Sequence, residues 1–142
     1  MPRLSHLCLL LLLMAMHVHA QSPLPQPKPV VVPAEVRFIS PEDVQRHLVE
    51  HLDTLIIDVR TDEERKARGH ILNSIHADYF HGQKTLNALA KLDKSKPCIV
   101  YCAIGGRAKR VAVEMHAMGF KNILLLKGGF DAWTATGQAV AK

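Results

Sequence analysis

The stretch PCIVYCAIGGRAKR, residues 97–110, places Cys98 and Cys102 four residues apart and follows the second with two glycines and the basic side chains Arg107, Lys109 and Arg110. Chemistry at sulfur is the first possibility to weigh. CIVYC has the apolar, β-branched character of a buried strand, and four residues along a strand cover roughly 13 Å. Bridged cysteines need Cα atoms within about 7 Å, so these two cannot pair within one straight strand. The spacing also differs from the Cys-x-x-Cys of dithiol redox sites, which assigns Cys98 to the core. Cys102 differs, because it ends the strand and the chain then turns through Ala103, Ile104, Gly105 and Gly106 into a helix beginning near Arg107. Such a turn aims successive backbone N–H groups at one point, and Gly105 and Gly106 permit the unusual dihedrals it requires. The positive end of the helix and Arg107 add to a field that stabilises an anion and favours the thiolate of Cys102. The expected chemistry is nucleophilic attack by Cys102.

These residues need a scaffold that delivers a strand end and a helix start to the same place. Beyond Glu35 the hydrophobic period alternates between strand and helix. VRFI (36–39) reads as a short strand, and Ser40 caps a helix with Pro41 at its first position, Glu42 and Asp43 in its first turn, and Val44, Leu48 and Leu52 as its apolar stripe. TLIIDV (54–59), CIVYC (98–102) and ILLL (123–126) are continuous apolar runs of strand length. RTDEERKARG is charged and short, with Thr61 as a cap and Gly69 as a stop. HILNSIHA (70–77) returns toward the sheet, TLNALAKL (85–92) has helical spacing, and residues 107–119 form a helix with Ala108, Val111, Ala112, Met115 and Met118 on one face. KGGFDAWTATG supplies a turn and a closing helix. Buried strands alternating with helices imply an α/β fold with a mostly parallel sheet covered on both faces. Sites in such folds form at the carboxyl ends of the strands, where Cys102 falls.

The chain of 142 residues suits one domain. MPRLSH followed by LCLLLLLMAM and HVHA reads as a cleaved export signal over residues 1–20, with Val18 and Ala20 as the small residues at the cleavage site; an uncleaved anchor is the alternative. Residues 21–35, with five prolines in QSPLPQPKPVVVPAE, read as an extended linker or, alternatively, a proline-motif ligand. The domain spans residues 36–142. The expected location is therefore exported, periplasmic or secreted, with no stable membrane insertion after cleavage. Cys8 leaves with the signal, so Cys102 is expected to be a lone reactive thiol. Loss of Arg3 lowers the net charge by one from +5, and without a basic face bearing stacking aromatics no nucleic-acid role is expected.

DVRTDEE (58–64), GHILNSIHA (69–77), VYCAIGGRA (100–108) and LKGGFDAW (126–133) resemble, in order, four signatures of single-domain rhodaneses. The resemblance covers about residues 36 to 138. It implies a three-layer rhodanese-like fold and a sulfurtransferase in which Cys102 attacks the sulfane sulfur of thiosulfate or a related small anionic donor. A Cys102 persulfide forms, and a thiol or cyanide acceptor, or a protein thiol partner, removes the sulfur. The N–H groups of Ala103, Ile104, Gly105, Gly106 and Arg107 would hold the donor and the terminal sulfur. No cofactor or metal is implied. Related phosphatase loops place five residues between Cys and Arg. CAIGGR has four, a smaller ring suited to sulfur, which ranks a phosphatase or arsenate-reductase-like enzyme below a sulfurtransferase. A non-catalytic sulfur carrier or partner-docking module is the other reading.

Thiosulfate-handling members often carry basic side chains directly after the cysteine, whereas this chain has Ala103 and Ile104. The donor is thus open. Ile104 would either meet an apolar thiol compound or partner surface or fill the underside of the loop. By the same resemblance, Asp58 supports neighbouring loops and Arg60 pairs with a carboxylate such as Glu64. Gly128 and Gly129 allow a tight turn beside the loop, and Trp133 packs in the core. His47 and His51, one helical turn apart, lack a third ligand at a fitting spacing and read as a solvated helix face.

Overall fold

The computed structural model describes residues 28–142. The expected export signal over residues 1–20 and residues 21–27 lie outside the described residues. β1 (Arg37–Ile39) is followed by β2 (Leu55–Asp58), the dipeptide strand β3 (Ile75–His76), β4 (Cys98–Tyr101) and β5 (Ile123–Leu126). The three continuous apolar runs are thus β2, β4 and β5, and both β4 and β5 are buried throughout. The sheet order is β1-β5-β4-β2-β3, with every pairing parallel. Central strands buried on both faces explain why their sequences do not alternate polar with apolar.

Four helices connect the strands, α1 (Pro41–Glu50), α2 (Asp62–Arg68), α3 (Gln83–Leu89) and α4 (Gly106–Ala117), with a 3-10 turn at Tyr79–His81 before α3, and α5 (Gly129–Ala135) follows the last strand. The strand alternation sorts neighbouring residues to opposite layers. Ile57, Val100 and Leu125 pack with Leu89 of α3 and Val111 and Met115 of α4. Ile56, Ile99 and Leu124 pack with Val44 of α1 and Phe130 and Trp133 of α5. Trp133 also donates its indole N–H to the Ala139 carbonyl at 2.9 Å, so the core tryptophan ties down the C-terminal segment.

The boundaries differ from expectation where local pattern meets packing. α1 stops at Glu50, and Leu52 is 89% exposed; its stripe holds for Val44 and weakens at half-buried Leu48. α3 begins at Gln83 and ends at Leu89, so Leu92 reaches the core from the following loop. The last described part of the proline-rich segment is in contact with the domain: Val32 packs against the α3/α4 core, and the Val36 N–H closes a turn on the Pro33 carbonyl at 3.0 Å. Among the described residues, no helix is long and apolar enough to cross a membrane.

Candidate active site

Cys102 follows β4 directly and lies one residue beyond its last hydrogen-bonded position. Its side chain is buried, with 1% of the residue exposed, at the floor of the turn that leads into α4. Gly105 adopts φ +116° and donates its N–H to the Cys102 Sγ at 3.1 Å. That conformation suits glycine and is what folds the loop back over the sulfur. Gly106, by contrast, is the first residue of α4 and does not adopt a positive φ, so only the first of the two glycines needs its freedom. The N–H groups of Ala103, Ile104, Gly106 and Arg107 take no partner among the described residues. With the Gly105 N–H they are the backbone donors that the loop from Cys102 into α4 offers.

The two cysteines are both free and both buried, yet chemically distinct. Burial pushes the Cys98 thiol up to about 12, with the charge of Asp93 adding to the effect. Its Sγ faces the Lys96 carbonyl at 3.5 Å, well away from any donor ring. Cys98 is therefore an inert core thiol at neutral pH.

Arg107 closes the loop through a two-point ion pair with Glu64: Nη1 to Oε2 at 2.6 Å and Nη2 to Oε1 at 2.7 Å. Glu64 is fixed from its own side by a capping box, accepting the Thr61 N–H at 2.9 Å while its N–H donates to Thr61 Oγ1 at 3.2 Å. The hydrogen bonds from Arg107 hold the Glu64 carboxyl down to about 2 from its ordinary 4.5, against the opposing effect of partial burial. Reciprocally, Glu64 raises the basicity of Arg107, and the nearby Cys102 sulfur adds to that rise. The cation at the mouth is thus present but largely neutralised.

This arrangement corrects the expected partner of Arg60. Arg60 is fully buried and turns back on its own strand, donating from Nε to Asp58 Oδ1 at 3.0 Å and from Nη2 to Asp58 Oδ2 at 2.8 Å. Glu64 cannot serve it, because the capping box aims that carboxylate at Arg107. Asp58 also accepts from Arg65 Nη1 at 2.9 Å and from the Tyr101 hydroxyl at 2.7 Å. Burial pushes the Asp58 carboxyl up, but the bonds from Arg60 and Tyr101 outweigh it and keep it ionised. The guanidinium of Arg60 lies 3.7 Å from the Phe130 ring centroid, which links the Asp58–Arg60 pair to α5.

Phe130 carries that link to Cys102. Its N–H donates to the Cys102 carbonyl at 2.8 Å, and the Asp131 N–H donates to the Ala103 carbonyl at 3.0 Å. The first turn of α5 therefore grips the base of the cysteine loop. Gly129 makes this approach possible: at φ +61°, a Cβ would stand 2.5 Å from the Cys102 oxygen and 2.6 Å from that of Ala103. Gly128 is left-handed too, at φ +68°. The tight turn beside the active loop is present, and its function is close backbone contact.

Ile104 is 72% exposed, which removes the alternative that it fills the underside of its loop. Phe80, which no spacing in the sequence marks, is 69% exposed, with its ring 5.7 Å from the Arg107 guanidinium carbon. The mouth thus has an apolar rim. The rings of His47 and His51 lie tilted at 36° with centroids 4.6 Å apart, and His47 Nε2 lies 3.1 Å from Thr54 Oγ1. Among the described residues no group of three or more His, Cys, Asp or Glu is placed to hold a metal ion.

Residues 40–136 match the model of the rhodanese-like domain family. A thiosulfate sulfurtransferase of Coxiella burnetii, GlpE, is 38% identical over 88 residues, covering 62% of this chain and 78% of its own length. The polysulfide-sulfur transferase of Wolinella succinogenes, a homodimer, is similar in structure with a TM-score of 0.63 and 34% identity, over 75% of this chain and 79% of that one. A rhodanese-like domain protein of Staphylococcus aureus superposes with a TM-score of 0.62 at 28% identity, over 75% of this chain and all of its own. These likenesses support sulfurtransferase chemistry in general. With the parallel three-layer sheet and a cysteine-floored loop at the end of its central strand, they show that the chain belongs to the rhodanese-like domain family.

Proposed function

We propose that the protein is a sulfurtransferase that moves a sulfane sulfur from thiosulfate or a related anionic donor to a thiol or cyanide through a persulfide on Cys102. The observation that carries this reading is the buried Cys102 sulfur, 3.1 Å from the Gly105 N–H in a loop whose other N–H groups take no partner among the described residues. The Cys102 thiolate attacks the outer sulfur of the donor, and sulfite departs when that donor is thiosulfate. The loop N–H groups hold first the donor's charge and then the terminal persulfide sulfur, donors fixed before the reaction and so available without reorganisation. The acceptor then takes the outer sulfur and Cys102 leaves as thiolate, completing a two-step covalent transfer. The four-residue span between Cys102 and Arg107 supports sulfur over phosphate as the transferred group.

Thiocyanate formation from thiosulfate and cyanide is expected of the intact protein and is expected to vanish in Cys102→Ser. A second reading is a non-catalytic module that docks a partner, which the exposed Ile104 at the loop tip favours. That reading predicts a cellular role that survives Cys102→Ser. Export is part of the proposal, and N-terminal sequencing of mature protein should begin at Gln21 or close by; Met1 retained in a membrane fraction would contradict it.

A further inference from the structure

Beside the mouth runs a groove of about 470 Å³ between the 79–81 turn with α3 on one side and α4 on the other. Tyr79, Phe80 and Leu86 supply apolar wall, Val30 borders it, and Arg110 and Glu114 are its charged residues. Its size is that of a small-molecule site, with apolar walls and few charges. Neither Arg110 nor Glu114 has an ion-pair partner among the described residues, unlike Arg107, whose charge Glu64 absorbs. The groove adjoins the site through Phe80, which lines it and whose ring centroid stands 5.7 Å from the Arg107 guanidinium carbon.

We propose that this groove binds the body of the sulfur acceptor, a carboxylate-bearing peptide-like thiol, with its carboxylate on Arg110 and an amino group toward Glu114. The inference rests on the persulfide chemistry proposed above. A buried Cys102 persulfide admits a thiol through the mouth but not the remainder of the molecule, which must lie alongside. The groove offers that remainder apolar contact and complementary charge. In the transfer, the acceptor thiolate attacks the terminal sulfur and forms the new S–S bond as the Cys102 Sγ–S bond breaks. Its electron pair remains on Cys102 as thiolate, and the product is the acceptor's persulfide anion, with no oxidant or reductant consumed.

Steady-state transfer to glutathione, 2-mercaptoethanol and cyanide separates the possibilities, with wild type, Arg110→Glu and Arg110→Lys compared. Losing one charge-assisted contact and gaining a repulsive one should raise the KM for glutathione roughly tenfold in Arg110→Glu. Arg110→Lys should recover most of that loss, while 2-mercaptoethanol and cyanide, which carry no carboxylate, should be used equally by all three proteins. An unchanged KM for glutathione, or the same change with all acceptors, would overturn the groove assignment; a groove filled by the chain's own segment ahead of Val30 gives the former. Failure of the wild type to form any persulfide would instead remove the sulfurtransferase reading itself, a different result from persulfide formation without acceptor discrimination.

Discussion

Glu64 performs two tasks with one carboxylate, capping α2 and holding Arg107 over the cysteine loop. Because its carboxyl is held at about 2 when folded, against an ordinary 4.5, its stabilising contribution is complete above about pH 4.5 and disappears as the pH falls through about 2. Glu64→Gln keeps much of the shape without the titration. Thermal melts from pH 5 down to pH 2 should therefore fall more steeply for wild type than for Glu64→Gln, with equal slopes contradicting the ion pair. The loss at neutral pH should be modest, on the order of 1 kcal/mol, since the pair is partly open to solvent. The sequence named both residues but joined Glu64 to Arg60. Thr61 was legible as a cap, yet a one-dimensional pattern does not say which cation will cross 43 positions to meet the Glu64 carboxylate.

At the scale of elements, Cys102 is positioned by the meeting of β4, α4 and the first turn of α5. Strand, turn and helix around Cys102 were legible because apolar run, glycines and amphipathic spacing each mark their own segment. The grip of α5 was not, since it consists of backbone N–H groups donating to the Cys102 and Ala103 carbonyls, and backbone bonds leave no side-chain signature. Only Gly129 hinted at it. Gly129→Ala would combine an unfavourable positive φ with contacts of 2.5 and 2.6 Å, so the loop or helix must move. We expect a loss of about 1–3 kcal/mol from the backbone conformation alone, plus loss of sulfur transfer beyond what unfolding explains. Chemical denaturation and thiocyanate formation measured together check this. Full transfer activity in a stable Gly129→Ala protein would show that the grip is unnecessary.

For the molecule as a whole, the parallel sheet and its two cores followed from continuous apolar strands alternating with helices, and the strand order places Cys102 at the end of the central strand, β4. Long-range side-chain choices were the illegible part. Phe80 arrives at the mouth only because the chain crosses from β3 through a 3-10 turn, and Val32 contacts the core although its segment reads as a plain linker. In the proposed function the Cys102 sulfur is the atom that receives sulfur, and Cys98, raised by burial to about 12, is not. Intact mass of the protein after exposure to thiosulfate and a series of other sulfane donors tests this most directly. The account predicts a gain of one sulfur with at least one donor, located on Cys102, removed by cyanide and absent in Cys102→Ser. No added sulfur with any donor, or a sulfur that persists in Cys102→Ser, would contradict it.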